Sequence, residues 1–411
     1  MKRYSILLTG ILLLIQSCSD NPDNGPTTPE PIVLKEAGEQ VVQSTNEFGL
    51  DIFQLIVNDE AEEKNVFISP TSISLALAMT LNGANTSTED SMAYALRLDQ
   101  YTPEQINETF RDLIAGLTSV DEKVILEIAN SIWYRMGFTV EQEFLDVNQE
   151  YFTAEIEELD FGSPDAVDII NGWCAEQTHD RIPEIINEID PGIVMFLINA
   201  IYFKGIWTIE FEEDNTEDGI FHLSDGTNKT VRMMKMEDDI GYFENDLFQA
   251  CELDYGRGNF SMMVMLPKSN QDVNSIVENL TPGNWNAWTS SFLTYTVNLT
   301  MPKFTFEYEK ELNDILSLMG MGIAFGPGAD FTGINSGGGL FIDYVLHKTF
   351  VEVNEEGTEA AAVTIVAIRE TAEPGNMVYM VVDRPFLFAI REKTTNTILF
   401  MGKVAEPVGE E

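Results

Sequence analysis

From position 351 the chain reads Val351-Glu352-Val353-Asn354-Glu355-Glu356-Gly357-Thr358-Glu359-Ala360-Ala361-Ala362-Val363-Thr364-Ile365-Val366-Ala367-Ile368. The first four residues look like the end of a strand. Taken at period two, the segment after Gly357 has one face made of Thr358, Ala360, Ala362, Thr364, Val366 and Ile368. That face is small at its start, apolar later and nowhere charged. The opposite face, Glu359, Ala361, Val363, Ile365 and Ala367, is partly polar. Such a segment is a latent strand, able to slot into a sheet with one side against a packed core. After it comes Arg369-Glu370-Thr371-Ala372-Glu373-Pro374-Gly375-Asn376, a polar stretch with loop chemistry. A potential strand joined to an exposed, cleavable loop is what a spring requires. Composition alone also admits an Ala-rich helix here, because Ala and Glu are good helix formers.

Upstream, the first half reads as helical. Gln40 to Ile56 carries Val41, Val42, Phe48, Ile52, Phe53 and Ile56 at roughly helical spacing. Ser69-Pro70-Thr71-Ser72 opens a helix with a cap and an early proline. Pro103 to Leu117 is another helix, and Pro164 to Gln177 a third, starting at a Ser163-Pro164 cap. Val124 to Tyr134 reads as a strand, and the apolar run Val194 to Phe203 as a strand buried on both faces. Further strands are expected at Phe260–Leu266, Tyr295–Met301 and Val378–Val382, with Leu387–Ile390 and Ile398–Met401 paired around Thr394-Thr395-Asn396. Helices first and sheets later indicate an α+β fold with several helices on large, mainly antiparallel sheets.

The chain is 411 residues long, and its 68 acidic against 23 basic residues leave a net charge of -45. Such a surface repels phosphate backbones, which argues against nucleic acid as a partner. Lys2-Arg3, the apolar run Ile6–Ile15 and Ile15-Gln16-Ser17-Cys18 read as an export signal, residues 1–17, ending in a lipoprotein-like box. Cys18 is then the lipid-bearing residue, residues 18–40 a polar tether, and 41–408 one folded domain. The chain is expected to be exported and held on a bacterial membrane by that lipid alone, facing outward; an uncleaved, unacylated export signal is the alternative. Cys174 and Cys251 remain as buried free thiols without metal-ligand spacing. Neither a cofactor motif nor a metal motif is visible. His179, His222 and His347 sit in no recognisable nucleophile or zinc pattern, so an enzyme has little support.

Several motifs, in one order, resemble the serpin family across roughly residues 47–407. They are Asn65-Val66-Phe67-Ile68-Ser69-Pro70-Thr71-Ser72-Ile73, Asn199-Ala200-Ile201-Tyr202-Phe203-Lys204-Gly205-Ile206-Trp207 and Met233-Met234. His347-Lys348 precedes the Glu355–Ala362 hinge. Asp383-Arg384-Pro385-Phe386-Leu387-Phe388 and Phe400-Met401-Gly402-Lys403-Val404 match the C-terminal signature. Any one alone is weak; their sequence is specific.

The resemblance implies a serpin fold with an exposed C-terminal reactive loop and a monomer that traps serine proteases in a covalent acyl-enzyme complex. It implies a hinge at Glu355, Gly357, Thr358, Ala360, Ala361 and Ala362, whose inward side must be small and uncharged to enter a sheet. It places Ser69, Ser72, Asn199 and His347 where that sheet opens, and Trp207, Lys303 and Glu355 near first insertion, with Lys303 and Glu355 a potential pair. The family register puts the reactive bond fourteen residues past Gly357, at Thr371-Ala372. A small β-branched side chain there points to elastase-like or subtilisin-like targets. Arg369-Glu370 is the rival, suited to trypsin-like enzymes. Arg111 among Glu104, Glu108 and Asp112 argues against activation by heparin-like polyanions. Two other readings stay open: a noninhibitory serpin that binds or chaperones, and a hydrolase.

Overall fold

Helices start where capping chemistry supplies the amide partners that a first turn lacks. Ser69 Oγ accepts from the Ser72 amide with Pro70 leading the helix, and Thr102 and Gln105 form a reciprocal capping box ahead of Pro103. The computed structural model describes residues 29–358 and 377–409. Among them are nine helices: α1 (Gly38–Asp59), α2 (Pro70–Leu81), α3 (Thr86–Ala95), α4 (Pro103–Leu117), α5 (Gln142–Phe152), α6 (Ala166–Gln177), α7 (Val273–Val277), α8 (Pro282–Thr289) and α9 (Asn313–Leu316). Helix α6 begins two residues later than its sequence indicates. Ser163 Oγ accepts from the Asp165 amide, which spends it on a local turn, and Asp165 stands at the cap without a side-chain bond.

The strands are β1 (Val66–Ile68), β2 (Val124–Arg135), β3 (Glu155–Leu159), β4 (Met195–Ile206), β5 (Glu217–His222), β6 (Asn228–Glu244), β7 (Phe248–Tyr255) and β8 (Phe260–Pro267). They continue as β9 (Leu293–Pro302), β10 (Phe304–Glu311), β11 (Leu346–Val353), β12 (Gly357–Thr358), β13 (Met377–Val381), β14 (Phe386–Glu392) and β15 (Ile398–Val404). One sheet has the order β10-β11-β12-β4-β2-β3; the other runs β1-β15-β14-β8-β7-β6-β9-β13, with β5 beside β6. Pairing is antiparallel throughout except for β2 with β3 and β13 with β9. This is an α+β fold of helices on large, mainly antiparallel sheets.

The main core lies between the two sheets and under α1, α2 and α4; a smaller one, with Ile170, Trp173 and Cys174, sits between α6 and the other face of the six-stranded sheet. Strand β4 therefore has apolar cover on both sides, but unequally. Phe196, Ile198 and Ala200 are buried in the core under α6 and Tyr202 is buried beside His179, whereas Met195, Leu197, Asn199 and Ile201 are only half-buried. Residues 29–37, expected to belong to a tether, contact the body. Glu30 exchanges hydrogen bonds with Asn259, Ile32 donates to Thr394 Oγ1 and packs against Gly116, and Lys35 pairs with Glu108. Residues 29–37 are thus docked on the body, because an apolar Ile32 and Leu34 give that segment something to bury.

Candidate functional site at the head of the six-stranded sheet

The site is built from backbone first. Strand β12 is two residues long and stands between β11 and β4, with Val353 opposite Thr358, Gly357 opposite Ile206, and Thr358 opposite Gly205. A Cβ on Gly357 would lie 2.0 Å from the Gly205 carbonyl oxygen, so only glycine permits this approach. Gly205 answers the same need on its other side, where a Cβ would sit 2.6 Å from the Tyr255 ring. With both side chains absent, Tyr255 packs beneath the strands, stacks on Trp207 at 4.4 Å, and meets Thr358 Oγ1 through its hydroxyl at 2.6 Å. Thr358 itself is buried, on the core side of the sheet.

Around this strand the polar groups hold the turn from β11 in place. Trp207 Nε1 donates to the Asn354 carbonyl at 3.0 Å, and the Trp207 amide donates to the Glu356 carbonyl at 2.9 Å. Lys303 Nζ and Glu355 Oε2 are 2.7 Å apart, and Thr216 Oγ1 donates to Glu355 Oε1 at 2.7 Å. Burial alone would push the Glu355 carboxyl up, but the bonds from Lys303 and Thr216 outweigh it and hold the group below its ordinary value. Its neighbour behaves oppositely. Glu356 Oε2 is buried without a hydrogen-bond partner among the described residues, and burial together with Glu213 and Glu355 pushes that carboxyl up despite the nearby Lys204 and Lys303. Glu210 is raised as well, by burial and by the charge of Glu356.

Past Thr358 no described residue joins the two flanking strands. Among the described residues, β4 pairs elsewhere only with β2, and β11 only with β10. Between them lies a shallow cleft bordered by Ile201 and Phe203 of β4, Phe350 of β11 and Thr358, with Phe67 and Phe400 on its floor. The segment after α6 straddles it. His179 Nε2 lies 2.9 Å from Glu127 Oε2 of β2, with its ring 4.2 Å from Tyr202. Arg181 reaches Glu352 at 3.3 Å and lies 4.8 Å over the Phe350 ring. Chemically, the arrangement is two strands whose ladder positions are unpaired among the described residues, with apolar lining on the core side and the segment after α6 across the other.

Farther along the cleft, His347 Nε2 accepts from the Ser69 amide at 3.0 Å, and Ser69 Oγ donates to the Leu399 carbonyl while accepting from the Ser72 amide. Burial depresses the His347 pKa to about 3, so the ring stays neutral and serves as an acceptor. Ser69, Ser72 and His347 thus come together. Asn199 instead donates to Asn130 Oδ1 at 2.8 Å, and its own Oδ1 is buried without a partner among the described residues. Cys174 and Cys251 are buried and free, both pushed up to about 12 by burial. Ala360, Ala361, Ala362, Arg369, Glu370, Thr371, Ala372 and Cys18 lie outside the described residues.

Tyr255, Thr216, Gly205 and Arg181 are parts of the site that sequence reading did not single out. Gly205 stood in a quoted motif, and a glycine inside an apolar strand signals close backbone approach. No local signal marks the other three.

The family model described as "Serpin (serine protease inhibitor)" matches residues 43–407. An uncharacterized serpin-like protein of Thermococcus kodakarensis is 35% identical over 431 residues, spanning 99% of this chain and 99% of that one. The leukocyte elastase inhibitor of Sus scrofa is 37% identical over 382 residues, covering 90% of this chain and all of its own. Among solved structures, the thermophilic serpin tengpin in its native state superposes with a TM-score of 0.82 at 33% identity, covering 92% of this chain and 97% of its own.

Proposed function

The chain belongs to the serpin family, and we propose that it is an inhibitory member that traps serine proteases after being cut between Thr358 and Met377. In this reading the serine of the protease attacks the Thr371 carbonyl, the Thr371–Ala372 bond breaks with Ala372 leaving as a new amino terminus, and an ester joins Thr371 to the enzyme. The freed strand then enters the sheet and carries the protease with it before water can cleave the ester.

The observation that carries this reading is the register of β12. Continuing the pairing of Thr358 with Gly205 residue by residue along β4 sets Ile368 opposite Met195, where β4 begins. The latent strand therefore has the length of the ladder that β4 leaves unpaired, among the described residues, beyond Gly205. Thr358 faces Tyr255 and the core, so the same continuation turns Ala360, Ala362, Thr364, Val366 and Ile368 toward Phe203, Ile201 and the apolar floor. Glu359 falls opposite Lys204, which is half-buried. New main-chain hydrogen bonds and buried apolar surface drive such an insertion.

Incubation with pancreatic elastase, subtilisin and trypsin tests the reading. An SDS-resistant adduct with mass equal to chain plus protease supports it; clean cleavage without adduct supports a noninhibitory serpin. Mass spectrometry of the released C-terminal fragment distinguishes Thr371–Ala372 from Arg369–Glu370, and with it the elastase-like or subtilisin-like from the trypsin-like target class. We also propose that the protein is exported and anchored through lipid on Cys18. Metabolic labelling with a fatty acid, lost in Cys18→Ala, is the corresponding result.

A further inference from the structure

We propose that His179 and Glu127 form a proton-controlled clasp that holds the segment after α6 across the cleft, closed in mild acid and loosened toward alkaline pH. The inference rests on the inhibitory reading only for its consequence, since a strand entering the cleft must spread β11 from β4. The segment is anchored on both sides of that gap. On one side His179 Nε2 lies 2.9 Å from Glu127 Oε2 of β2, with the ring 4.2 Å from Tyr202 of β4. On the other, Arg181 reaches Glu352 of β11 at 3.3 Å. Spreading the strands therefore pulls the segment between its two anchors.

The backbone at the first anchor is strained. His179 and Asp180 have φ of 49° and 63°, two consecutive residues in the left-handed region that glycine ordinarily fills at a helix end. Local hydrogen bonds hold the turn. The Asp180 amide donates to the Ala175 carbonyl at 2.8 Å, the Arg181 amide to the Thr178 carbonyl at 2.9 Å, and the Ile182 amide to Thr178 Oγ1 at 3.0 Å. Cys174 before the turn and Ile182 after it are both buried in the smaller core. A strained turn fixed at both ends, with side-chain anchors at its crest, opens locally when an anchor lets go and leaves the rest of α6 in place.

The anchor on β2 is the one a proton controls. Imidazoles gain their second ring proton as pH falls from about 8 to about 5. A neutral ring donates from Nε2 in only one of its two tautomers, whereas the cation always donates there and adds a charge to the contact. Around His179 stand Glu176 at the end of α6, Asp180 and Arg181 on its own segment, Glu127 on β2, and Tyr202 and Lys204 on β4. Lys204 lies opposite Ile125, on the face that Glu127 shares. On β11, Glu352 is taken by Arg181, and Lys348 pairs with Glu309 at 3.4 Å. Of these groups Glu127 is the carboxylate in hydrogen-bond contact with the ring. The charged pair is thus present in acid and is lost as pH rises through the imidazole range. Arginine keeps its charge throughout, so the two anchors respond differently to pH.

Hydrogen exchange on the uncleaved full-length chain, corrected for the intrinsic pH dependence of exchange, tests the clasp at the Asp180, Arg181 and Ile182 amides. Their protection is expected to fall about 3-fold from about pH 5.5 to about pH 8, the size an exposed ion pair commands across the imidazole range. The slope is expected to vanish in His179→Gln and in Glu127→Gln. Asp180→Asn removes a neighbouring charge, suits the same backbone and leaves the clasp, so it is expected to keep the wild-type slope. The consequence is read with pancreatic elastase. At about pH 6, His179→Gln is expected to give about 3-fold more adduct per cleaved chain than the wild type, and at about pH 8 the same yield. Wild-type protection that does not change with pH, or that changes equally in His179→Gln, overturns the clasp. Equal adduct yields in acid overturn its link to the cleft. A chain cut without adduct at every pH counts against the inhibitory reading instead, and the clasp then stands or falls on exchange alone.

Discussion

Glu355 and Glu356 are adjacent residues whose ionisation has opposite consequences for the native state. The Glu355 carboxyl is held below its ordinary 4.5 despite burial, so its contribution is present at neutral pH and is lost as pH falls through its lowered value. Glu356 is raised above 4.5, first by burial, so its native-state penalty is absent in acid and grows as pH rises through the raised value. At pH 7, Glu355→Gln is expected to cost about 1–2 kcal/mol, because the amide loses the charge that pairs with half-exposed Lys303 and keeps one acceptor oxygen where the carboxylate serves both Lys303 and the buried Thr216 hydroxyl. Glu356→Gln should stabilise the uncleaved form by roughly 1 kcal/mol or less, since solvent screens part of the repulsion. Thermal midpoints of the uncleaved variants at pH 7 and pH 4 check both signs, and both differences shrink toward pH 4. The sequence carried Glu355 and Lys303 as a potential pair through motif position. It carried nothing about the unpartnered oxygen of Glu356, because that environment is assembled from Glu210, Glu213 and Lys204, far away in the chain.

Among the elements, β12 is the shortest and the most constrained. Gly357→Ala places a methyl group against the Gly205 carbonyl, and the backbone rather than a flexible side chain would have to yield. The expected outcome is withdrawal of β12 at a cost of about 1–3 kcal/mol. Loss of hydrogen-exchange protection at the Thr358 amide would register it, with the rest of the sheet still protected. Thr358→Arg has a different effect, because a charge at a buried position facing Tyr255 blocks insertion after cleavage. Protease is then expected to cut this variant without being trapped; retained adduct formation would overturn the hinge argument. Elements were legible where their cause is local. The Ser69 and Thr102 caps, the 3.6-residue periodicity of α1 and the turn between β14 and β15 all follow from neighbouring residues. Boundaries and burial set by distant partners were not, as the late start of α6 and the docking of residues 29–37 on Asn259 and Thr394 demonstrate. The half-buried side of β4 belongs to the same class, since an apolar run says nothing about whether a neighbouring ladder position is filled.

At the scale of the whole molecule, the fold was recognisable from the order of its motifs, while the closure of its sheets was not. Strand β1 pairs with β15, Val66 opposite Lys403, and β13 joins β9 in parallel; no pattern within either strand specifies a partner so distant in sequence. The same non-local architecture would let the chain, under the proposed mechanism, hold a more stable arrangement in reserve. In the proposed mechanism the intact loop is tied at both ends, at Thr358 in one sheet and at Met377 in the other, so the segment from Ala360 to Ile368 cannot run the length of β4 without releasing one anchor. Cutting the loop frees it. Filling the ladder between β4 and β11 would bury Val366 and Ile368, each worth roughly 1.5–3 kcal/mol when fully covered, and add ladder hydrogen bonds at about 1 kcal/mol each. At ~1–2 °C per kcal/mol for a chain of this size, the nicked protein is expected to unfold on the order of 10–30 °C above the intact one. Scanning calorimetry before and after limited elastase digestion measures the difference, with both fragments retained in the sample. A nicked form that melts at or below the intact midpoint would mean that the ladder between β4 and β11 is not the destination of the cleaved loop.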